Sequence, residues 1–142
     1  MIKNISWIAF GLLAVYLTWW AGSEYFQGEK ADPRSQEYLS RIAAELNRGV
    51  PVMIDKETEL MPTSGHQGML IYNYRLVSYS VQQIDHRRFA AGARDRVVQG
   101  ACSRPETRDD FLKKGVTLRY SYFDKDKQHI ATIDVTPKDC GF

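Results

Sequence analysis

The sequence is poor in the residues from which metal and redox sites are built. Its 142 residues contain only 2 cysteines and 3 histidines, and no two histidines have the helical spacing that pairs metal ligands. No C-x-x-C pair occurs, which argues against a thiol–disulfide oxidoreductase. A site assembled in space from His86, His129 and a carboxylate stays an alternative, although nothing in the sequence indicates the convergent geometry it needs. We therefore expect no metal and no cofactor.

Motifs of the common enzyme classes are also absent. The chain has no G-x-S-x-G, no Walker-type phosphate loop and no G-x-G-x-x-G, which argues against familiar hydrolase and nucleotide chemistry. Asp55, Glu57 and Glu59 alternate along one predicted strand, where carboxylates are solvated and not buried in the apolar pocket that an acid catalyst needs. We therefore expect no catalytic residues.

Neither sign of charge is in large excess. The 19 basic and 17 acidic side chains give a net charge of +2, and they are interspersed along the chain. This is the pattern of a solvated surface and not of a nucleic-acid footprint. We expect no nucleic-acid partner.

A long uncharged run lies near the N-terminus. Residues 5–22 contain no charged side chain, and about 18 helical residues nearly span the ~30 Å hydrocarbon core of a bilayer. Lys3 precedes the run and Glu24 is the first charge after it, so the bias of basic residues toward the cytoplasm places the N-terminus inside. Residues 1–23 are predicted to be a single-pass anchor in a bacterial inner membrane.

A cleavable signal peptide is the alternative to an anchor. Ala21, Gly22 and Ser23 supply the small residues that a signal peptidase needs, with cleavage after Ser23. The apolar run is longer than the ~7–15 residues usual in a signal peptide, and Trp19 and Trp20 crowd the approach to the site. These features favour an uncleaved anchor.

The rest of the chain is predicted to be a polar tether, residues 24–33, and one periplasmic domain, residues 34–142. Helical spacing predicts helices over residues 38–46 and 85–102, and Pro105 begins a shorter one that reaches Lys114. Strand patterns occupy residues 52–60, 69–79, 116–122 and 129–136, with a loop at 62–68. We expect an α+β fold in α-β-β-α-α-β-β order, with helices on one face of an antiparallel sheet of about four strands.

Two predicted strands carry the same Leu-x-Tyr-x-Tyr pattern, at residues 70–74 and 118–122. The repetition suggests two similar strands near the centre of the sheet. Their tyrosines are a candidate ligand platform, although tyrosines at alternating strand positions usually pack beneath helices. These residues are Tyr72, Tyr74, Tyr120 and Tyr122.

Arginines of the second long helix form a candidate partner-binding surface: Arg87, Arg88, Arg94 and Arg96. The first two lie at the start of the helix, where the helix dipole disfavours positive charge, so their placement gains little local stability. A local rule broken without compensation is a sign of function. The alternative is a solvated helix face.

The two cysteines, Cys102 and Cys140, are predicted to form a disulfide, because the compartment is oxidising and an idle thiol there is at risk. Closing a loop of about 38 residues stabilises a domain by ~4 kcal/mol in the chain-entropy model. The bond would tie the C-terminus to the helical layer.

Several segments together carry a family resemblance. They are residues 51–58, the Leu-x-Tyr-x-Tyr strand at 70–74, Gly115-Val116 before Tyr120-x-Tyr122, and the closing Asp139-Cys140. Over residues 40–140 the chain resembles small bacterial envelope proteins with one N-terminal hydrophobic segment and a disulfide-closed α+β domain. The resemblance implies a fold and a compartment and supplies no active-site residue.

The function that these observations favour is a membrane-tethered periplasmic interaction or accessory module without catalytic activity. Its partner would be another envelope protein, reached while residues 5–22 hold the chain in the membrane. The alternative is a periplasmic ligand-binding domain that uses the tyrosine-rich sheet face.

The predicted topology is tested by a reporter enzyme that is active only in the cytoplasm, fused after Phe142. We expect the fusion to stay silent, because the charges of Lys3 and Glu24 place the C-terminal domain outside. Strong reporter activity would overturn the topology and the oxidising compartment with it.

Overall fold

The computed structural model describes residues 31–142, and residues 32–142 form one structural unit. The predicted anchor at residues 5–22, its cleavage site and nearly all of the predicted tether lie outside the described residues. Among residues 31–142, no helix combines the length and the hydrophobicity that crossing a lipid bilayer requires.

Residues 31–142 contain three α-helices: α1 (Gln36–Leu46), α2 (His86–Ser103) and α3 (Pro105–Arg108). The Ser35 hydroxyl caps α1 by accepting from the Tyr38 N–H at 3.2 Å, and the Asp85 carboxylate caps α2. The helix predicted from Pro105 to Lys114 is wrong in its second half, where α3 stops and a 3₁₀ turn follows at Leu112–Lys114. Other 3₁₀ turns occupy Asn47–Gly49, Val81–Gln83 and Pro137–Cys140.

The sheet has five strands and not four: β1 (Val52–Met53), β2 (Thr58–His66), β3 (Met69–Leu76), β4 (Thr117–Phe123) and β5 (His129–Val135), in the order β1-β2-β3-β4-β5. The predicted antiparallel sheet is wrong, because β3 and β4 pair in parallel and make the sheet mixed. Parallel neighbours need a long crossover, and residues 77–116 with α2 and α3 supply it.

The first predicted strand, residues 52–60, is divided by a turn into β1 and β2, which adds one strand to the predicted order. The Asp55 carboxylate accepts the N–H groups of Glu57 and Thr58, both at 2.8 Å. An aspartate that bonds the backbone two and three residues ahead replaces the strand ladder with a turn.

The loop predicted at residues 62–68 is wrong, because β2 continues to His66. Pro62 suggested a break, but a shift of register between Met61 and Ser64 accommodates it in the strand. Prolines occur in strands at edges and bulges, where no ladder hydrogen bond needs their missing N–H.

The side chain of Asn47, just after α1, stands in for a neighbouring strand at this point of β2. Its amide nitrogen donates to the Thr63 carbonyl at 2.8 Å, and its amide oxygen accepts from the Thr63 N–H at 2.7 Å. Unpaired edge groups invite association with other chains, so this contact closes the edge beyond the short β1.

The core lies between the sheet and the two long helices, which cover the same sheet face as predicted. Leu70 and Leu118 are paired across β3 and β4, and both are 0% exposed. Leu39 of α1 and Ala101 of α2 belong to the same apolar cluster. The closing disulfide joins Cys102 to Cys140 with 5.3 Å between their Cα atoms, which confirms the predicted pairing.

Helix α1 approaches β2 so closely at Gly65 that no side chain fits between them. A Cβ atom at residue 65 would overlap the backbone of Leu39 and Ser40. The Ser40 hydroxyl also donates to the Gly65 carbonyl at 3.2 Å. The glycine therefore sets the distance between the helix and the sheet.

This close packing predicts a large effect of Gly65→Ala. The methyl group must push α1 away from the sheet, so we expect a loss of about 1–3 kcal/mol or more in the free energy of unfolding. Gly49→Ala is the matched control, since a Cβ at residue 49 meets nothing within 4 Å. Urea denaturation followed by circular dichroism measures both. Equal stabilities of the two variants would contradict the packing account.

Candidate functional site

A groove of about 900 Å³ opens on the helix-covered face of the sheet, toward the C-terminal end of β3. Its floor contains Tyr74, Tyr120 and Tyr122, so we call it the tyrosine groove. Helix α2 forms one wall, and the turn at residues 54–58 forms the other. The two walls thus come from segments distant in sequence.

The four predicted platform tyrosines lie together because β3 and β4 pair in register. Tyr72 lies opposite Tyr120, and Tyr74 lies opposite Tyr122. The ring centroids of both pairs are 5.3 Å apart, with interplanar angles of 17° and 22°, and Tyr74 also stacks on Tyr120 at 6.3 Å. The ring faces therefore pack against one another, and three of the four residues, Tyr74, Tyr120 and Tyr122, line the groove.

The hydroxyl groups of these tyrosines have no hydrogen-bond partner within residues 31–142. Burial raises the pKa of Tyr72 to about 12. Burial first, and then neighbouring tyrosines, raise the pKa values of Tyr74 and Tyr120 further, while Arg104 acts in the opposite direction. The phenols are thus protonated donors at neutral pH, close to at least one guanidinium group.

Two arginines, Arg96 and Arg104, line the α2 wall of the groove, and both residues are exposed. Neither takes part in the ion pairs that the described residues form. Phe89 and Val97 supply the apolar part of this wall, and the ring of Phe89 meets that of Tyr122 edge-on at 5.2 Å. This wall therefore combines cationic and apolar surface.

The opposite wall carries charges of both signs, with Asp55, Lys56 and Glu57 at the turn between β1 and β2. The Tyr79 hydroxyl donates to Glu57 at 2.8 Å, and the Asp55 carboxylate closes the turn. Ile54 beside them is 53% exposed. The helix side of the groove is thus cationic, whereas the turn side carries two carboxylates and one ammonium group.

The buried carboxylate of Asp124 holds the far end of the groove, residues 79–84, against the sheet. It accepts the Val81 N–H and the Gln128 N–H, both at 2.8 Å. Burial alone would raise the pKa of Asp124, but the N–H groups of Gln128, Val81 and Asp126 hold the pKa below its usual value. The carboxylate therefore serves the turn between β4 and β5.

The structure separates the four predicted partner-binding arginines. Arg96 lines the groove, whereas Arg94 donates to Asp139 at 2.9 Å and so braces the C-terminal turn. Arg87 and Arg88 are exposed at the start of α2, where their backbone N–H groups donate to Asp85 at 3.1 Å. These residues therefore do not share one surface.

Sequence reasoning missed Arg104 as a groove residue. Arg96, Gly100 and Arg104 follow one another at intervals of four, the spacing that places residues along one side of a helix. Their apolar neighbours Val97 and Ala101 follow the same interval. That combined pattern is the signal in the sequence that could have identified this wall.

The two histidines considered for a metal site make separate polar contacts. His86 Nδ1 lies 3.1 Å from the Ile130 carbonyl, and His129 Nε2 lies 2.8 Å from the Thr132 hydroxyl. No cluster of three or more metal-ligating side chains occurs among residues 31–142.

The sheet face without helices carries cross-strand ion pairs. Arg119 donates to both carboxylate oxygens of Asp134 at 2.8 and 2.9 Å, which lowers the pKa of Asp134. Arg75 donates to Glu59 at 3.0 Å. A hollow of about 250 Å³ on this face is lined in part by Met61 and Phe123. The charges here are neutralised locally, unlike those of the groove arginines.

Comparison with known proteins identifies the fold. No protein-family model matches the chain, and no curated protein matches its sequence. A solved secreted protein from Pseudomonas aeruginosa is similar with a TM-score of 0.66 and 21% identity, over 80% of this chain and 98% of that one. The agreement bears out the expected α+β fold.

Two pilotins of the type 2 secretion system share the fold as well. EpsS from Vibrio vulnificus has a TM-score of 0.61 and 17% identity, over 75% of this chain and 92% of its own. AspS from Vibrio cholerae has a TM-score of 0.56 and 14% identity, over 74% and 91%. At such identities the similarity establishes the fold alone.

The buried tyrosines predict a delayed alkaline titration. Of the 8 tyrosines in the chain, we expect Tyr72 and the three of the groove floor to ionise above pH 10, with the pKa of Tyr72 about 12. Since the folded state favours the protonated phenol, this contribution to stability is complete below pH 10 and is lost as the pH rises toward 12. Absorbance at 295 nm measures it.

Tyr72→Phe supplies the control for this titration. The variant should lose part of the late absorbance rise and keep the part near pH 10. If every tyrosine of the folded protein ionised near pH 10, the buried, stacked arrangement would be contradicted.

Proposed function

We propose that this chain is a non-catalytic accessory protein of a bacterial envelope secretion assembly. Its domain, residues 34–142, would lie in the periplasm, and residues 5–22 would hold it at the inner membrane. The observation that carries the proposal is the shared fold with two type 2 secretion pilotins, which extends over 92% and 91% of those chains. The tyrosine groove would be the surface that receives the partner.

The disulfide supports the periplasmic location. Disulfides persist in oxidising compartments and are rare in the cytosol. Cys102 lies at the end of α2, two residues before Arg104, so the bond with Cys140 fixes the wall of the groove.

The point where the chain enters the domain supports a tethered role. The Arg34 carbonyl accepts the Gly68 N–H at 2.7 Å, at the turn that begins β3. The groove lies toward the other end of β3, at Tyr74 and Leu76, about 20 Å away at 3.3 Å per strand residue. A partner in the groove would therefore lie about 20 Å from the point where Arg34 contacts the sheet. Tethering also raises the effective concentration of a weak binder toward membrane-bound partners.

A small-molecule binding function for the tyrosine-rich face is the second candidate. The groove volume of about 900 Å³ falls in the range of ligand pockets, about 300–1,000 Å³. This candidate ranks second because the stacked tyrosines cover one another's faces, and those faces are what a sugar ring stacks on.

Photo-crosslinking in the native bacterium tests the proposed function. A photoreactive amino acid in place of Val97 in the full-length chain lies on the groove wall, and the same group in place of Thr132 lies on the helix-free face. We expect the Val97 position to give adducts with an envelope component of a secretion assembly, identified by mass spectrometry, and the Thr132 position to give none.

Adducts of equal yield and identity from both positions would contradict the groove as the contact surface. An absence of protein adducts from Val97, together with a small molecule retained in native mass spectrometry, would favour the second candidate.

A further inference from the structure

We infer that the tyrosine groove recognises an extended peptide segment with two carboxylates and an apolar side chain between them, and that Arg96 and Arg104 bind the carboxylates. The inference rests on the proposed function, since it names the chemistry of the protein partner. It adds a ligand class and the residues that select it.

Arg96 and Arg104 differ from the neighbouring arginines, which are paired with carboxylates. Arg94 is paired with Asp139, and Arg108 is paired with Asp109 at 2.9 Å. Arg96 and Arg104 lie between them in sequence and have no such carboxylate among the described residues. A guanidinium beside an apolar wall is well suited to a planar carboxylate, which it binds through two parallel N–H groups.

The distance between the two arginines defines the spacing of the ligand. Arg104 caps the C-terminal end of α2 and follows Arg96 by eight positions, which places their Cα atoms about 12 Å apart along the helix axis. An extended peptide advances about 3.3 Å per residue. The two carboxylates should therefore lie three or four residues apart in the bound segment.

Gly100 leaves room for the segment between the two arginines. It lines the groove, and a Cβ atom at this position would meet nothing within 4 Å. Glycine in the middle of a helix lowers its stability by about 1 kcal/mol relative to a good helix former. Filling this space with a side chain would therefore block the groove without weakening α2.

The floor and the apolar wall favour a peptide over a free anion. Phe89 and Val97 on the wall and Leu76 at the end offer apolar contacts, which a phosphate ion could not use. The protonated hydroxyls of the floor, left without partners by the described residues, can donate to the same carboxylates. The groove volume of about 900 Å³ is also far larger than a small anion needs.

The two walls differ in charge, which favours one side of the groove for the carboxylates of the segment. Asp55, Lys56 and Glu57 line the wall opposite Arg96 and Arg104. Like charges placed together across an interface are disfavoured, so the acidic groups of the partner should lie on the α2 side, where both charged side chains are cationic.

Selection from a displayed library of random decapeptides tests the inference with the full-length protein in detergent. We expect enrichment of sequences with two acidic residues three or four apart and an apolar residue between them. The Gly100→Leu variant, whose groove is filled, should not enrich them, and its melting temperature should be unchanged or higher. Enrichment of basic or uncharged sequences, or equal enrichment by Gly100→Leu, would overturn the inference.

Charge reversal then identifies the residues, with a selected peptide followed by fluorescence polarisation. Arg96→Glu and Arg104→Glu should each weaken binding about tenfold or more, with a smaller loss at high salt because exposed charges are screened. The matched controls are Arg87→Glu and Arg88→Glu on the same helix, which should change binding by less than about twofold. Equal losses in both sets would show general electrostatic attraction and overturn the assigned residues.

Three comparisons separate the sources of the negative charge. Peptides with free and amidated C-termini distinguish a terminal carboxylate from side-chain carboxylates, and either result is consistent with the inference. Displacement of the peptide by millimolar inorganic phosphate, or Arg96-dependent binding to phosphatidylglycerol vesicles that excludes the peptide, would overturn it in favour of an anion or lipid site.

The outcome is distinguishable from failure of the proposed function. If the Val97 crosslink to a secretion component forms but survives Arg96→Glu and Arg104→Glu undiminished, the accessory role stands and the carboxylate inference fails. If the selected acidic peptides bind while no envelope component is crosslinked, the ligand chemistry stands and the secretion role fails.

Discussion

The parallel pairing of β3 with β4 is the constraint on which the rest of the domain depends. Leu70 pairs with Leu118, and both are fully buried. A slip of one residue would turn every side chain of one strand to the other face and would remove both the core leucines and the stacked tyrosines. Because parallel neighbours require a crossover, the same pairing carries α2 over the sheet. The floor and one wall of the groove therefore have a common cause.

The disulfide strengthens the packing of α2 against the rest of the domain. Cys102 and Cys140 join the end of α2 to the last turn of the chain, and Arg94 reinforces the same junction through Asp139. The cross-link should contribute ~4 kcal/mol in the chain-entropy model, a large share of the marginal stability of a small domain. Since Arg104 follows Cys102 by two residues, the cross-link lies next to the cationic wall of the groove.

The two faces of the sheet differ in whether their charged side chains are paired. Arg119 with Asp134, and Arg75 with Glu59, neutralise one another across strands on the helix-free face. In the groove, Arg96 and Arg104 lack such partners within residues 31–142, and the acidic groups lie on the opposite wall. Complementary charges that remain available govern the rate and the selectivity of association.

The sequence by itself determined the local features. Alternation placed Tyr72, Tyr74, Tyr120 and Tyr122 on one face, because successive side chains of a strand point to opposite sides, and helical spacing identified α1 and α2. The number of cysteines and the expected compartment predicted their bond. The periodicity rules act over a few residues. With only two cysteines in the chain, a single intramolecular disulfide is possible.

Only the tertiary structure decided which segments meet. Contacts between residues far apart decided the direction of the strands and the hydrogen bonds of Asn47 with Thr63. Competition between local preferences decided that β2 continues through Pro62 and that a turn forms at Asp55. The groove arises in the same way, since its walls come from α2 and from residues 54–58. Periodicity reports which face of an element is buried, but it carries no information about the neighbour against which that face packs.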